Sequence, residues 1–307
     1  MRRVRNLARE QAIQGGTMSS ETTDDSVITD DIVITADINY LLNDLDDAGA
    51  TLEFWSEDER RSTMVNAAGL RVPIRNARAA HETFSLDTNG FVLVEHASQI
   101  KSFDLIQLHP LVDQHYAHEM GELLKATTGA DLVVVVSAGK KRYGESEKEK
   151  ISTLHNAKPA RYPHADNTDE SILNLLRMVS GAVATKEYPR WAAYNMWRAT
   201  SGPPQDIPLA VCDARSISAH DEVVVTAVTE EQSGDIRHDT TGYHFSENHQ
   251  WWFYKDMTQE EVLIFKAHDS DPHTPSRVAH SAFDDPSCPA GVPTRSSIET
   301  RAFAFFR

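Results

Sequence analysis

The chain has 307 residues, with 46 acidic and 30 basic side chains, a formal net charge of −16 and 40% hydrophobic residues. That apolar content builds a core and excludes a wholly disordered chain, while the negative charge argues against nucleic-acid or anionic-membrane partners, which reward basic patches. No apolar run is longer than that of residues 132–136, which is strand-sized and far short of the ~18 residues a membrane-spanning helix needs.

Two cysteines, Cys212 and Cys288, make neither a disulfide scaffold nor a four-cysteine metal site. They are expected to be buried or inert thiols in a reducing, cytoplasmic protein. Arg2, Arg3, Arg5 and Arg9 are not followed by an apolar stretch, so no secretory signal is expected. Residues 19–59 hold thirteen acids and no Lys or Arg. Residues 1–31 are expected to form a disordered acidic extension, and residues 32–307 one domain.

Along the chain, residues 32–38, 71–74 and 91–96 read as strands, the last entered through an Asn89-Gly90 turn. Residues 111–127 have helical spacing and stop at Gly129. Residues 131–137 (DLVVVVS) have the length of a buried strand, and residues 140–150 (KKRYGESEKEK) read as a solvated loop. Residues 169–186 predict a helix. Strands follow at 192–198, 208–212, 222–228, 243–246, 250–254, 262–268, 278–283 and 298–306. Short strands separated by Gly, Pro, Asn and Asp point to a mainly β sandwich or barrel with flanking helices.

The chain has no G-x-G-x-x-G, no phosphate-binding glycine loop, no H-E-x-x-H and no G-x-S-x-G. Dinucleotide, nucleotide, zincin and α/β-hydrolase chemistries are therefore not expected. His164-Ala165-Asp166 is an H-x-D pair, and on extended backbone residues two apart share a face. Alone this is a weak signal. It gains weight from His280 in a strand-like run and from Arg295-Ser296-Ser297 before the last strand. Two imidazoles and one carboxylate occupy one side of Fe(II) and leave positions open for a 2-oxo acid and O2. An Arg fork with a Ser hydroxyl suits the far carboxylate of 2-oxoglutarate.

The segments NMWRATSGPPQDIPLAVCDARS (residues 195–216), NHQWWFYKDMTQEEVLIFKAHDSD (248–271), RVAHSAFDDP (277–286) and PTRSSIETRAFAFF (293–306) resemble a family of fungal and bacterial secondary-metabolism oxygenases. That family includes the aspergillic-acid hydroxylase/desaturase, the gibberellin GA4 desaturase and the cephamycin 7α-methoxylation protein. The resemblance runs from about residue 70 to 307 and implies a double-stranded β-helix, a jelly roll related to cupins. It implies His164, Asp166 and His280 as Fe(II) ligands, with Arg295 and Ser297 as the 2-oxoglutarate clamp. His249 or His268 stays open as the distal ligand, and Arg301 as the clamp. The activity implied is hydroxylation or desaturation of a small secondary metabolite through hydrogen abstraction. The alternative is a non-catalytic jelly roll that binds a metal or metabolite, or that partners an active paralogue.

Tyr194 and Asn195 are candidates for bonding 2-oxoglutarate, and Arg198 for meeting substrate or co-substrate. The run Trp251-Trp252-Phe253-Tyr254 reads as core by default and as a lining for a bulky, partly apolar substrate in the sharper reading. His109, His115 and His118 read as surface residues. A homodimer is the default expectation for association.

Overall fold

The computed structural model describes residues 33–42, 52–55, 61–63, 66–67, 70–144, 146–147, 158–230 and 234–307, so the expected disorder of residues 1–31 lies outside the described residues. Among these, the strands up to the first helix are β1 (Val33–Asp37), β2 (Tyr40–Leu41), β3 (Glu53–Trp55), β4 (Asn66–Ala67), β5 (Arg71–Asn76) and β6 (Phe91–Glu95). Helix α1 (Pro110–Thr128), β7 (Leu132–Tyr143), β8 (His164–Ala165) and helix α2 (Asp169–Glu187) follow. The second half is β9 (Arg190–Ala199), β10 (Leu209–Cys212), β11 (Glu222–Thr229), β12 (Ile236–Tyr243), β13 (Trp251–Phe253), β14 (Glu261–Asp269), β15 (His280–Ala282) and β16 (Ser296–Phe306).

The strands form a nine-stranded sheet, in the order β1-β5-β13-β10-β15-β8-β12-β11-β3, facing a five-stranded sheet, β6-β14-β9-β16-β7. This is the expected jelly roll. Between the sheets, Trp197, Phe265 and Leu263 from one meet Leu209, Val211 and Trp252 from the other. Helix α1 covers the opposite side of the five-stranded sheet. Tyr116, Met120 and Leu124, four residues apart, lie on one helical stripe and pack against Met196, Ile298 and Ala302. Pro110 opens this helix, and Gly129, at φ 71°, ends it by donating its N–H to Lys125 O. In α2 two helical stretches meet at Gly181, whose backbone is non-helical.

Two sequence expectations need correction. β7 does not stop at residue 137 but runs on to Tyr143, because β16 pairs with it from Ser296 to Phe305, through register shifts on either side of Arg301. The stretch Lys140–Arg142 is therefore strand, not solvated loop, and its Lys141 is only 5% exposed. The strand expected at 243–246 is instead β12, paired along its whole length with β11. Its first half is exposed and polar, which hid the apolar alternation.

The aromatic run is core. Trp251 and Phe253 pack with Ile74 and Phe283, while Trp252 and Tyr254 face the other way against Phe84 and Phe91. No helix among the described residues is long and apolar enough to cross a membrane.

Candidate active site

The site is built on two short strands inside the nine-stranded sheet. β8 lies between β15 and β12, and its register sets His164 directly opposite His280. Cross-strand partners share a face, so both rings project between the sheets, with centroids 4.3 Å apart. His164 Nδ1 lies 2.9 Å from Tyr162 O, and His280 Nδ1 lies 3.2 Å from Val278 O. A carbonyl can only accept, so each Nδ1 carries a proton and each Nε2 is the ring nitrogen left to face a metal. Burial, with the neighbouring His280, pulls the His164 pKa down to about 3, so the ring stays neutral at ordinary pH.

Asp166 follows on the same face, with Oδ1 3.9 Å from His164 Nε2. Burial alone would raise its pKa, but Arg301, His280, His164 and the Asn195 hydrogen bond together hold it well below the usual carboxylate range. Arg301 Nη2 donates to Asp166 Oδ1 at 2.7 Å, and Asn195 Nδ2 donates to Oδ2. One ligand atom from each of His164, Asp166 and His280 falls within 4.8 Å of the others, and all three residues are buried. Among the described residues no other His, Cys, Asp and Glu converge in this way. A larger cavity of about 550 Å³ beside α1 carries His96, His115, His118, Glu119 and Glu122, but no three of their ligand atoms converge.

Behind the cluster lies a cavity of about 30 Å³, walled by Trp197, Leu209, Arg142 and Arg295. Arg295 is 2% exposed, its guanidinium 5.5 Å from the Trp197 ring centroid, with Nη1 donating to Ile207 O at 3.0 Å. Ser297 Oγ is buried and has no hydrogen-bond partner among the described residues. A buried hydroxyl left unsatisfied is costly, and an incoming carboxylate oxygen satisfies it. Two imidazoles, one carboxylate, a buried Arg and an unsatisfied Ser hydroxyl fit a ferrous ion chelated by a 2-oxo diacid.

The structure does not bring every candidate to this point. Tyr194 and Arg198 alternate with Asn195 and Trp197 on β9, so they project to the α1 side and not into the site. Arg198 donates to Tyr116 Oη, His96 O and Gln259 O and ties the sheet to its covering layer. Tyr194 lines a separate cleft with Arg190 and Asp87. Asn195 does face the site, but it donates to Asp166. His249 bonds Tyr40 Oη and Asp221, and His268 stacks on Trp191 beside Asp169, both away from the cluster. Arg301 is engaged by Asp166 and Glu299. Sequence reasoning missed Arg142, Glu299 and Trp197; the alternation within KKRY and SSIETR was the available signal.

With this geometry in view, similarity to known proteins decides the family. Residues 38–305 match a family described as "YDMC: Oxidoreductase/YMDC permease-like domain". The hydroxylase/desaturase efuI of Hormonema carpetanum is 32% identical over 252 residues, covering 76% of this chain and 83% of that protein. The Fe(II)/2-oxoglutarate-dependent dioxygenase nvfI of Aspergillus novofumigatus is 31% identical over 241 residues, with the same coverages of 76% and 83%. The chain belongs to this oxidoreductase family, within the Fe(II)/2-oxoglutarate-dependent dioxygenases. A solved structure of the iron and alpha-ketoglutarate-dependent endoperoxidase NvfI superposes with a TM-score of 0.72 at 28% identity, covering 90% of this chain and 98% of that one. As a member, this dioxygenase uses Fe(II), 2-oxoglutarate and O2 to oxidise a small molecule of secondary metabolism, and nothing favours the non-catalytic alternative.

Proposed function

We propose that His164, Asp166 and His280 hold the ferrous ion of this dioxygenase, and that Arg295 and Ser297 take the far carboxylate of 2-oxoglutarate. The observation that carries the reading is the convergence of the three buried ligand atoms within 4.8 Å. When bound, the ferrous ion with 2-oxoglutarate and O2 supplies an oxidant strong enough to break an unactivated C–H bond.

The chain's own residues do the rest. Tyr162 O and Val278 O fix the two imidazoles in the metal-binding tautomer. Asn195 and Arg301 orient the Asp166 carboxylate from both sides. Trp197 and Leu209 wall the pocket with apolar surface and keep bulk water from it. Arg295, backed by Ile207 O and the Trp197 ring, presents a fork for a carboxylate. Arg301 is not the clamp in this reading, since Asp166 and Glu299 already hold it. Admitting a five-carbon diacid into so narrow a space requires side chains at its rim to part.

The substrate we infer is bulky and partly apolar, in keeping with the Trp197 and Leu209 walls. Hydroxylation and desaturation both begin by taking one hydrogen atom, and the hold on the carbon skeleton decides between them. A cytoplasmic homodimer completes the reading. Two free thiols support the compartment, and the prevalence of two-fold oligomers supports the association.

The test is anaerobic addition of Fe(II) and 2-oxoglutarate, followed by visible spectroscopy. Wild-type protein is expected to develop a weak charge-transfer band, and Asp166→Ala to lose it while remaining folded. A band of full strength in Asp166→Ala overturns the assignment.

A further inference from the structure

We propose that the substrate carries a carboxylate and that the Lys140 ammonium at the end of β7 receives it; this rests on the site assignment above. The registers of β7, β16 and β9 place three rungs on the face that looks into the site. These are Arg142–Ser297–Ala199, Lys140–Glu299–Trp197 and Arg301–Asn195. Farther along the same face the rungs turn apolar, with Phe303, Phe305, Ala193 and Trp191. An otherwise hydrocarbon surface therefore carries three cations beside the metal-capable cluster.

The three are unequally partnered. Arg301 is bound to Asp166 Oδ1 at 2.7 Å and to Glu299 Oε1 at 2.8 Å. Arg142 donates to Lys158 O at 3.1 Å. Lys140 is half-buried, yet among the described residues no hydrogen bond or ion pair reaches its ammonium. Burial, with Arg142 and Arg301 near it, brings Lys140 down to about 8. His238 lies across the rim. It shares a face with Gly242, the residue opposite His164, and senses the charges of Arg301 and Lys140.

Around the cluster, among the described residues, the cations Lys140, Arg142, Arg295 and Arg301 outnumber the carboxylates Asp166 and Glu299. A ferrous ion and a 2-oxoglutarate dianion cancel one another, so filling the site as assigned leaves the surplus positive charge in place. Glu299, opposite on β16, and Asp166 favour the ammonium only at a distance; a half-buried ammonium that no carboxylate contacts is unfavourable, and an anion on the substrate supplies that contact. One such contact also fixes the end of a molecule that is otherwise held by apolar walls. Lysine suits this task, since it acts as a point charge and tolerates a single carboxylate oxygen.

The experiment uses the whole chain loaded with Fe(II) and 2-oxoglutarate without O2. It is titrated with polycyclic carboxylic acids, abietic acid among them, and with their methyl esters. Binding is read from tryptophan fluorescence and from the visible band. The acids are expected to bind at least about tenfold more tightly than the esters, the scale of one charge-assisted hydrogen bond. Lys140→Met should erase that preference and Lys140→Arg should keep it, with 2-oxoglutarate affinity unchanged in both. Acids and esters binding alike, or neither binding, overturns the proposal. So does a raised 2-oxoglutarate requirement in Lys140→Met, which would make Lys140 part of the co-substrate clamp. Failure to form the visible band refutes the iron-site assignment instead, and fluorescence alone then still decides the acid-over-ester preference.

Discussion

His164 and His280 stand opposite each other on adjacent antiparallel strands, their ring centroids 4.3 Å apart, although 115 positions of chain separate them. The pairing is a property of sheet register, and a slip of one residue would turn either ring to the other face. Each ring is also tied to a carbonyl two residues upstream, just before its strand begins, so each Nε2 is aimed before any ion arrives. His280→Ala is therefore expected to weaken Fe(II) binding by more than about 100-fold, beyond the usual effect of losing an outer partner. Its thermal unfolding should stay close to wild type, because the deletion leaves the β15 backbone ladder intact. Anaerobic Fe(II) titration and calorimetry check both halves.

Arg301 is expected to act through Asp166. Arg301→Met removes the donor to Oδ1 and leaves Glu299 without its cation. The Fe(II) requirement should rise about 10- to 100-fold, as for other outer partners of a metal ligand. Arg301→Lys should recover part of the loss. Measuring activity against Fe(II) at saturating 2-oxoglutarate isolates this effect from that of the co-substrate.

Arg295→Ala should act on 2-oxoglutarate and not on iron. Losing one charge-assisted contact predicts an apparent KM for 2-oxoglutarate raised about 10- to 100-fold. Fe(II) affinity measured without co-substrate should be unchanged. Ser297→Ala removes a single neutral donor, so its effect on KM should be the smaller of the two. Succinate formation at varied 2-oxoglutarate measures both.

A separate ion pair bears on stability. Lys266, with no exposed side-chain area, donates to Asp269 Oδ2 at 2.7 Å, and Arg190 grips the same carboxylate at 3.1 and 2.8 Å. Asp269→Asn leaves the buried ammonium with only the exposed Asp87 carboxylate, at 3.4 Å, and should cost about 3 kcal/mol. Burial alone would raise the Asp269 pKa, but Arg190 and Lys266 hold it at about 2 in the folded chain. The unfolded value is the higher one, so unfolded chains take up the proton first as pH falls. The Asp269 contribution is therefore complete above about pH 4 and is lost between there and about pH 2. Thermal melts of wild type and Asp269→Asn from pH 5 down to pH 2 should show the difference between them shrinking in that window.

Much of this was legible in the sequence because the carriers were local or strongly patterned. The α1 helix showed itself through its apolar stripe and Gly129, and β16 through its alternation. His164 and Asp166 were visible as a pair two residues apart, and His280 as a histidine within an apolar strand. What escaped depended on partners far along the chain. Lys140 and Arg142 look like loop charges until β16 is laid beside them. Tyr194 and Arg198 were candidates because the phase of β9 was not fixed by its composition; nearly every residue in it is buried. Only the packing of α1 on one side says which half of that alternation faces the His164–Asp166–His280 cluster.

β8 and β15, which carry the two histidines of the cluster, sit in the interior of the nine-stranded sheet, while the charged rungs at the rim come from the other sheet and from β7, its outermost strand. Edits to β7 thus leave β8, β15 and their ladder neighbours untouched. Such a division of labour lets a lineage retool what the enzyme accepts while the reactive centre is inherited whole, and swapping the residues of β7 between relatives is the direct route to a new specificity.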